Sequence, residues 1–118
     1  MTDFFDALET RSPDQREAAQ MAALPGQLAH AKQNSAAFAD ILRDIDVTAV
    51  NNRAALARLP VTRKGELLER QKAKRQHDAF GGFSALVRGP AMSRIFSSPG
   101  PIYEPEGASK DYWRAGRA

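Results

Sequence analysis

The sequence predicts a predominantly helical α+β chain, and three observations carry that prediction. Helix-capping signals recur from Ser12 to Thr62, short β-type apolar runs occur only after Gly81-Gly82, and none of the 118 residues is cysteine. A cap followed by apolar residues at helical spacing marks a helix, whereas apolar runs bounded by Gly and Pro mark strands. Without cysteine there is neither a disulfide framework nor a thiolate metal site, so the fold rests on packing alone. A chain of this length is one domain's worth of material and buries roughly two-thirds of its unfolded surface.

The first strong signal is Ser12-Pro13-Asp14-Gln15: Ser as N-cap, Pro at the first helical position, Gln three residues after the cap. The helix it opens carries Ala18, Met21, Ala22 and Leu24 along one side. Pro25-Gly26 is expected to interrupt or kink it, because proline lacks the N–H and clashes with the preceding turn. A second piece then runs from Gln27 to Gln33. Asn34 or Ser35 caps a third helix with Phe38, Ile41, Leu42 and Ile45 at helical spacing. Asn51-Asn52 caps a short segment from Arg53 to Arg58. Leu59-Pro60-Val61 reads as an extended connector, the residue before proline being pushed out of the helical region. Thr62 caps Arg63 to Lys74, with Leu67 and Leu68 as its apolar face and Gln71 on the next turn. After the break at Gly81-Gly82 come the strand expectations, Phe83–Arg88 and Ser93–Phe96, and then the Ser-, Gly- and Pro-rich loop Ser97–Gly107. Two units follow: residues 1–78, helical, and residues 79–118, the start of a β-containing part.

Apolar residues at 42% and charged residues at 26% are ordinary for a soluble globular protein. The N-terminal Met-Thr-Asp-Phe-Phe-Asp has neither the basic region nor the apolar stretch of a signal peptide, and no apolar run approaches the ~18 residues of a membrane helix. The expected compartment is the cytoplasm, with no membrane partner. The net charge of +3 is unevenly spread. Arg53, Arg58, Arg63, Lys64, Arg70, Lys72, Lys74 and Arg75 face only Glu66 and Glu69 between positions 53 and 75. Such a block can meet an anion, but it holds no aromatic residue to stack on bases, which argues against nucleic acid. His30 and His77 have no acid or nucleophile nearby in sequence and carry no catalytic assignment, and two histidines do not make a metal site.

The loop Ser97-Ser98-Pro99-Gly100-Pro101-Ile102-Tyr103-Glu104-Pro105-Glu106-Gly107 is the kind of turn that presents N–H groups to phosphate, although Ser-Pro-Gly is more often a plain turn. Tyr103 between two prolines either stacks on a ligand or closes the loop. Glu104 and Glu106 either meet Mg²⁺ or are solvated. Tyr112 and Trp113 read as a packing face of a further helix.

Taken in order, Ser35-Ala36-Ala37-Phe38, the connector Leu56-Ala57-Arg58-Leu59-Pro60-Val61-Thr62-Arg63-Lys64-Gly65-Glu66-Leu67, and Arg94-Ile95-Phe96-Ser97-Ser98-Pro99-Gly100-Pro101 with Asp111-Tyr112-Trp113 resemble the N-terminal portion of the phenylacetate–CoA ligase-like family. These are adenylate-forming, AMP-producing acid–CoA ligases. The resemblance implies a helical N-terminal module followed by the first strands of an adenylate-forming N-terminal domain. It implies ATP-dependent activation of a carboxylate, aromatic by class, as an acyl-adenylate and its transfer to coenzyme A, with ATP, Mg and coenzyme A as cofactors of the intact enzyme. Laid on the family's Ser-Ser-Gly-Thr-Thr-Gly-Lys-Pro loop, Ser98, Gly100 and Pro105 coincide, and Ser98 and Gly100 are the implied phosphate contacts. Glu104 stands where the family has Lys, and Pro99 and Pro101 remove N–H donors. Lys64 falls in the connector as a structural or surface residue.

Because the later adenylation motifs are not in these residues, the chain alone is expected to be inactive and to bind no cofactor by itself. Its expected partners are the remainder of a ligase chain or a second copy through residues 83–118. The alternative is a non-catalytic binding or assembly module, either a pseudo-enzyme or a basic-helix interaction domain.

Overall fold

The fold is that of a computed structural model in which residues 3–109 are described. In chain order these residues form α1 (Pro13–Asn34), α2 (Ala36–Ile41), a 3-10 turn (Val47–Ala49), α3 (Arg53–Leu56), α4 (Lys64–Lys74), β1 (Arg94–Ser98) and β2 (Ile102–Glu106). The architecture is an α-rich domain with one two-stranded antiparallel sheet.

Helix α1 begins as its cap signal dictates. Ser12 Oγ accepts from Gln15 N–H at 3.2 Å while Gln15 Oε1 accepts from Ser12 N–H at 3.0 Å, which satisfies two of the donors every helix start leaves over. The expected break at Pro25-Gly26 does not occur, and the two pieces are one helix of 22 residues. Proline at position 25 removes one N–H from the ladder, a loss the turns on either side outlast because packing holds them. Glu17, Met21, Leu24, Leu28 and Ala31 form a half-buried stripe at alternating spacings of four and three, facing α2 and the 3-10 turn. Beyond the proline, Lys32 Nζ donates to the carbonyls of Arg43 and Ile45 at 3.2 and 3.1 Å. Ala18 and Ala22, expected on the inner face, are exposed.

Ser35 is the cap of α2, as one of the two expected candidates, and the helix stops at Ile41. Asn52 caps α3 by accepting from Ala55 N–H at 2.9 Å, and that helix is only four residues long. At α4 the cap is Arg63 rather than Thr62. The reciprocal arm decides it: Glu66 stands three residues after Arg63, and its Oε2 accepts from Arg63 N–H at 3.4 Å.

After α4 the expected strand Phe83–Arg88 is replaced by a tight turn. Ser84 Oγ accepts from Leu86 N–H at 3.0 Å and donates to Leu86 C=O at 2.8 Å, so a side chain takes the bonds a strand partner would make. The second strand lies instead inside the stretch read as a loop. β1 and β2 pair from Arg94↔Glu106 to Ser98↔Ile102, leaving Pro99-Gly100-Pro101 as the turn of a hairpin. Ile102 and Tyr103 are good strand residues, and Pro105 is tolerated because its missing N–H points away from the ladder. The residues from Lys110 on, with Asp111, Tyr112 and Trp113, lie outside the described residues.

The core is small: Ala37, Leu42, Val50, Ala55, Phe80 and Ile102 are its buried apolar members. Beside them lie the polar residues Ser35, Gln71 and Glu106, each at most 5% exposed. Among the described residues no helix is long and apolar enough to cross a membrane.

Candidate functional site

The candidate site is the hairpin end, and α4 sets its position. Leu68, Gln71 and Arg75 share one face of α4 at helical spacing. Leu68 Cδ1 lies 3.2 Å from where a Cβ at Gly100 would stand, so α4 touches the turn itself. Gln71, 1% exposed, grips the backbone of β2. Its Nε2 donates to Tyr103 C=O and its Oε1 accepts from Tyr103 N–H, both at 2.9 Å. The same Nε2 reaches Phe80 C=O at 3.4 Å. A primary amide has the donor–acceptor pair of a peptide unit, so Gln71 stands in for the next strand of the sheet. One turn later, Arg75 Nη2 donates to Pro101 C=O at 3.2 Å and its guanidinium lies 5.6 Å from the Tyr103 ring centre.

A second support comes from the glycine pair. Asp78 Oδ1 and Oδ2 accept from Phe80 N–H and Gly82 N–H at 2.9 and 2.7 Å. Gly81 has φ +61°, and a Cβ there would sit 2.8 Å from Gln71 Cα. Only glycine allows both that conformation and that approach. The carbonyl of Gly82 then accepts from Ser35 Oγ at 2.7 Å and from Ala37 N–H at 3.0 Å. Phe38 and Phe83 meet edge-to-face, their centroids 5.5 Å apart. Ser35–Phe38 and α4 are thus joined at Gly81-Gly82, and Gln71 links that turn to Tyr103 of β2.

At the tip, Ser98 is the last residue of β1 and half-buried, Gly100 is the exposed middle of the turn, and the Gly100–Pro101 peptide is cis. Of Pro99, Gly100 and Pro101 only Gly100 has an N–H. A cradle of successive N–H groups for phosphate is therefore not available at this turn, and the tip offers Gly100 N–H and the Ser98 hydroxyl. The loop glutamates part ways. Glu104 is exposed, whereas Glu106 is 5% exposed with Arg94 Nε 3.4 Å from its Oε2. Among the described residues no cluster of three His, Cys, Asp or Glu that could hold a metal ion occurs. Tyr103 closes the hairpin onto α4.

A cleft of about 430 Å³ opens between the hairpin and the 77–88 segment. Phe80, Leu86, Ile95 and Tyr103 form its walls, with His77 and Arg88 beside them. Its chemistry is apolar burial next to an imidazole and a guanidinium. Nothing in the sequence pattern announced it, because its walls come from the 77–88 segment and from both strands of the hairpin.

Four residues of the basic block, Arg53, Arg70, Lys72 and Arg75, take structural tasks. Arg53 pairs with Glu17, Arg70 with Asp40 at 3.4 Å, Lys72 with Glu69 at 3.1 Å, and Arg75 serves the hairpin. The Arg53 guanidinium, through its hydrogen bond, holds the Glu17 carboxyl below the usual range, and Glu17 in turn raises Arg53. Asp46 is also lowered, first by the Thr48 hydroxyl that donates to it at 2.6 Å. Lys64 is exposed at the start of α4, and Asn34 Nδ2 lies 3.1 Å from His30 Nδ1.

No protein-family model, curated protein or solved structure matches this chain.

Proposed function

We propose that the chain is the N-terminal part of an ATP-dependent acid–CoA ligase of the phenylacetate–CoA ligase-like kind. In such an enzyme a carboxylate, aromatic by class, is activated as the acyl-adenylate and passed to coenzyme A. The observation supporting this reading is that the helix after the connector meets the third of the stretches carrying the resemblance: Leu68, one residue past the connector, lies 3.2 Å from where a Cβ at Gly100 would stand, and Arg75 Nη2 donates to Pro101 C=O at 3.2 Å. Ser35 is bonded to Gly82 at 2.7 Å, and Gln71 on the helix after the connector is bonded to Tyr103 at 2.9 Å.

The role of these residues is architectural. They hold the hairpin whose tip, Ser98 and Gly100, faces the triphosphate in the proposed enzyme. With one N–H at that tip and Glu104 close by, most of the triphosphate's charge is met by groups elsewhere in the enzyme. No chemical step is assigned to His30, His77 or Lys64.

The test uses the protein expressed from the whole reading frame that contains this sequence. Incubated with ATP, Mg²⁺, coenzyme A and a panel including phenylacetate and benzoate, it is expected to release AMP and form an acyl-CoA detectable by mass. The 118-residue chain assayed alone is expected to give no turnover above buffer. Absence of acid-dependent AMP from the whole product overturns the reading and favours a non-catalytic assembly module.

A further inference from the structure

We infer that the outer edge of β1 pairs with the same edge of a second copy of this chain, in a single register centred on Phe96. The inference starts from Gln71. Because both the N–H and the C=O of Tyr103 are directed at Gln71, they point out of the hairpin rather than across it. In an antiparallel ladder, residues directly opposite alternate between pairs that exchange both bonds and pairs whose groups all point outward. Tyr103 lies opposite Ser97, and Pro105 opposite Ile95. Both are therefore outward pairs, which explains how Pro105 sits in the ladder without an N–H. It follows that Ile95 and Ser97 turn their own N–H and C=O groups to the other side, away from β2. Among the described residues no main-chain partner meets them, and both residues are exposed, Ile95 at 52%.

The two edges of the sheet are thus unlike. On the β2 side, Gln71 occupies Tyr103 and Pro105 offers no donor. On the β1 side, the outward positions Ile95 and Ser97 are neither lysine nor proline, residues that ordinarily discourage edge pairing. That edge is also complementary to itself. A two-fold axis through Phe96 sets Ile95 of one copy opposite Ser97 of the other, twice, and all four groups of each pair find partners. Arg94 then falls opposite Ser98, so no like charges are opposed. The product is a four-stranded antiparallel sheet with an isologous interface. Two strands of five residues bury far less than the ~1,200 Å² of a standard interface, so the association is weak and concentration-dependent.

Sedimentation of the 118-residue chain is expected to pass from monomer to dimer between about 10 µM and about 1 mM. Ser97→Pro removes one outward N–H while leaving the inner ladder intact, and is expected to weaken the dimer at least ~10-fold with unchanged circular dichroism. The absence of native cysteine provides an independent readout. A Phe96→Cys chain brings the two α-carbons to about 4.5 Å, within disulfide reach, and should cross-link on oxidation. Val87→Cys, at a residue 85% exposed but away from the axis, should cross-link much more slowly. If Ser97→Pro alters the dichroism, the ratio of the two cross-linking rates decides. A monomer at about 1 mM, a dimer as tight in Ser97→Pro as in the parent, or equal cross-linking of the two cysteine variants each overturns the inference.

Discussion

Helix α1 and the 78–107 segment are built on opposite plans. α1 contains 22 residues and none of them is fully buried. It is made by bonds between near neighbours, begun by a serine and a glutamine three residues apart, and it packs through a half-buried stripe. The 78–107 segment has little regular structure outside its hairpin, yet it contributes Phe80, Ile102 and Glu106 to the interior. It is held from a distance by Ser35 and Gln71, whose side chains bond main-chain groups 47 and 32 residues away. In the first region the backbone satisfies itself. In the second, side chains do it.

The same substitution made in the two regions should have opposite effects. Gly81→Ala is expected to destabilise the protein by about 3 kcal/mol. A left-handed alanine costs about 1–2 kcal/mol, and moving the α4 backbone out of the way costs more. A urea midpoint within error of the parent would show that α4 and the glycine turn are not in contact as described. Gln71→Leu, which keeps the volume and removes the amide, is expected to cost about 2 kcal/mol because buried main-chain groups lose their partners. Hydrogen exchange at Tyr103 should accelerate while α1 stays protected; uniform loss across the chain would contradict the division into two plans. Gly26→Ala has the opposite sign. Gly26 lies within α1 with nothing within 4 Å of a new Cβ, so the variant should gain about 0.5–1 kcal/mol through helix propensity. A loss would mean that Pro25-Gly26 bends the helix in a way its packing needs.

How much of this was legible in sequence follows the same division. Ser12, Ser35 and Asn52 announce their helices because a cap bonds N–H groups two or three residues away, inside any reading window. Pro25 misleads for the converse reason: its local cost is visible, while the stripe from Glu17 to Ala31 and the Lys32 bonds that outweigh it are tertiary. Thr62 and Arg63 differ by one residue, and only the position of Glu66 separates them. The hairpin was half legible. The run Ser93–Phe96 predicts its first strand, but Ile102–Glu106 reads as loop because Pro101 precedes it and Pro105 lies within it, and only the outward position of Pro105 makes that strand possible. Gln71 could be read only as a polar residue on an apolar face. That it replaces a strand is visible once Tyr103 is opposite it.

The smallest effect expected is electrostatic, and it joins the two ends of the helical region. Arg53 lowers the folded-state pKa of Glu17 below its ordinary value, so the pair contributes stability that is fully present above that value and lost as pH falls through the lowered one. The parent is expected to be slightly more stable than Glu17→Gln at neutral pH, with the gap closing between about pH 5 and about pH 3. A gap that widens on acidification would mean that Glu17 is stabilised in its protonated form instead.

The hydroxyl of Ser35 gives to Gly82 and receives from Phe38 N–H at 3.3 Å. A helix of six residues, as α2 is, has little tendency to persist unaided. Its first turn is completed only when a glycine pair from the far side of α4 has arrived, so the beginning of α2 and the turn at Gly81-Gly82 form and open as one cooperative unit. Such a unit is assembled across a long stretch of chain and so forms late, after the locally made α1. In the native protein it opens together too, and the amides of Ala37 and Phe38 should exchange at the rate of Gly82 rather than at that of the helix that precedes them.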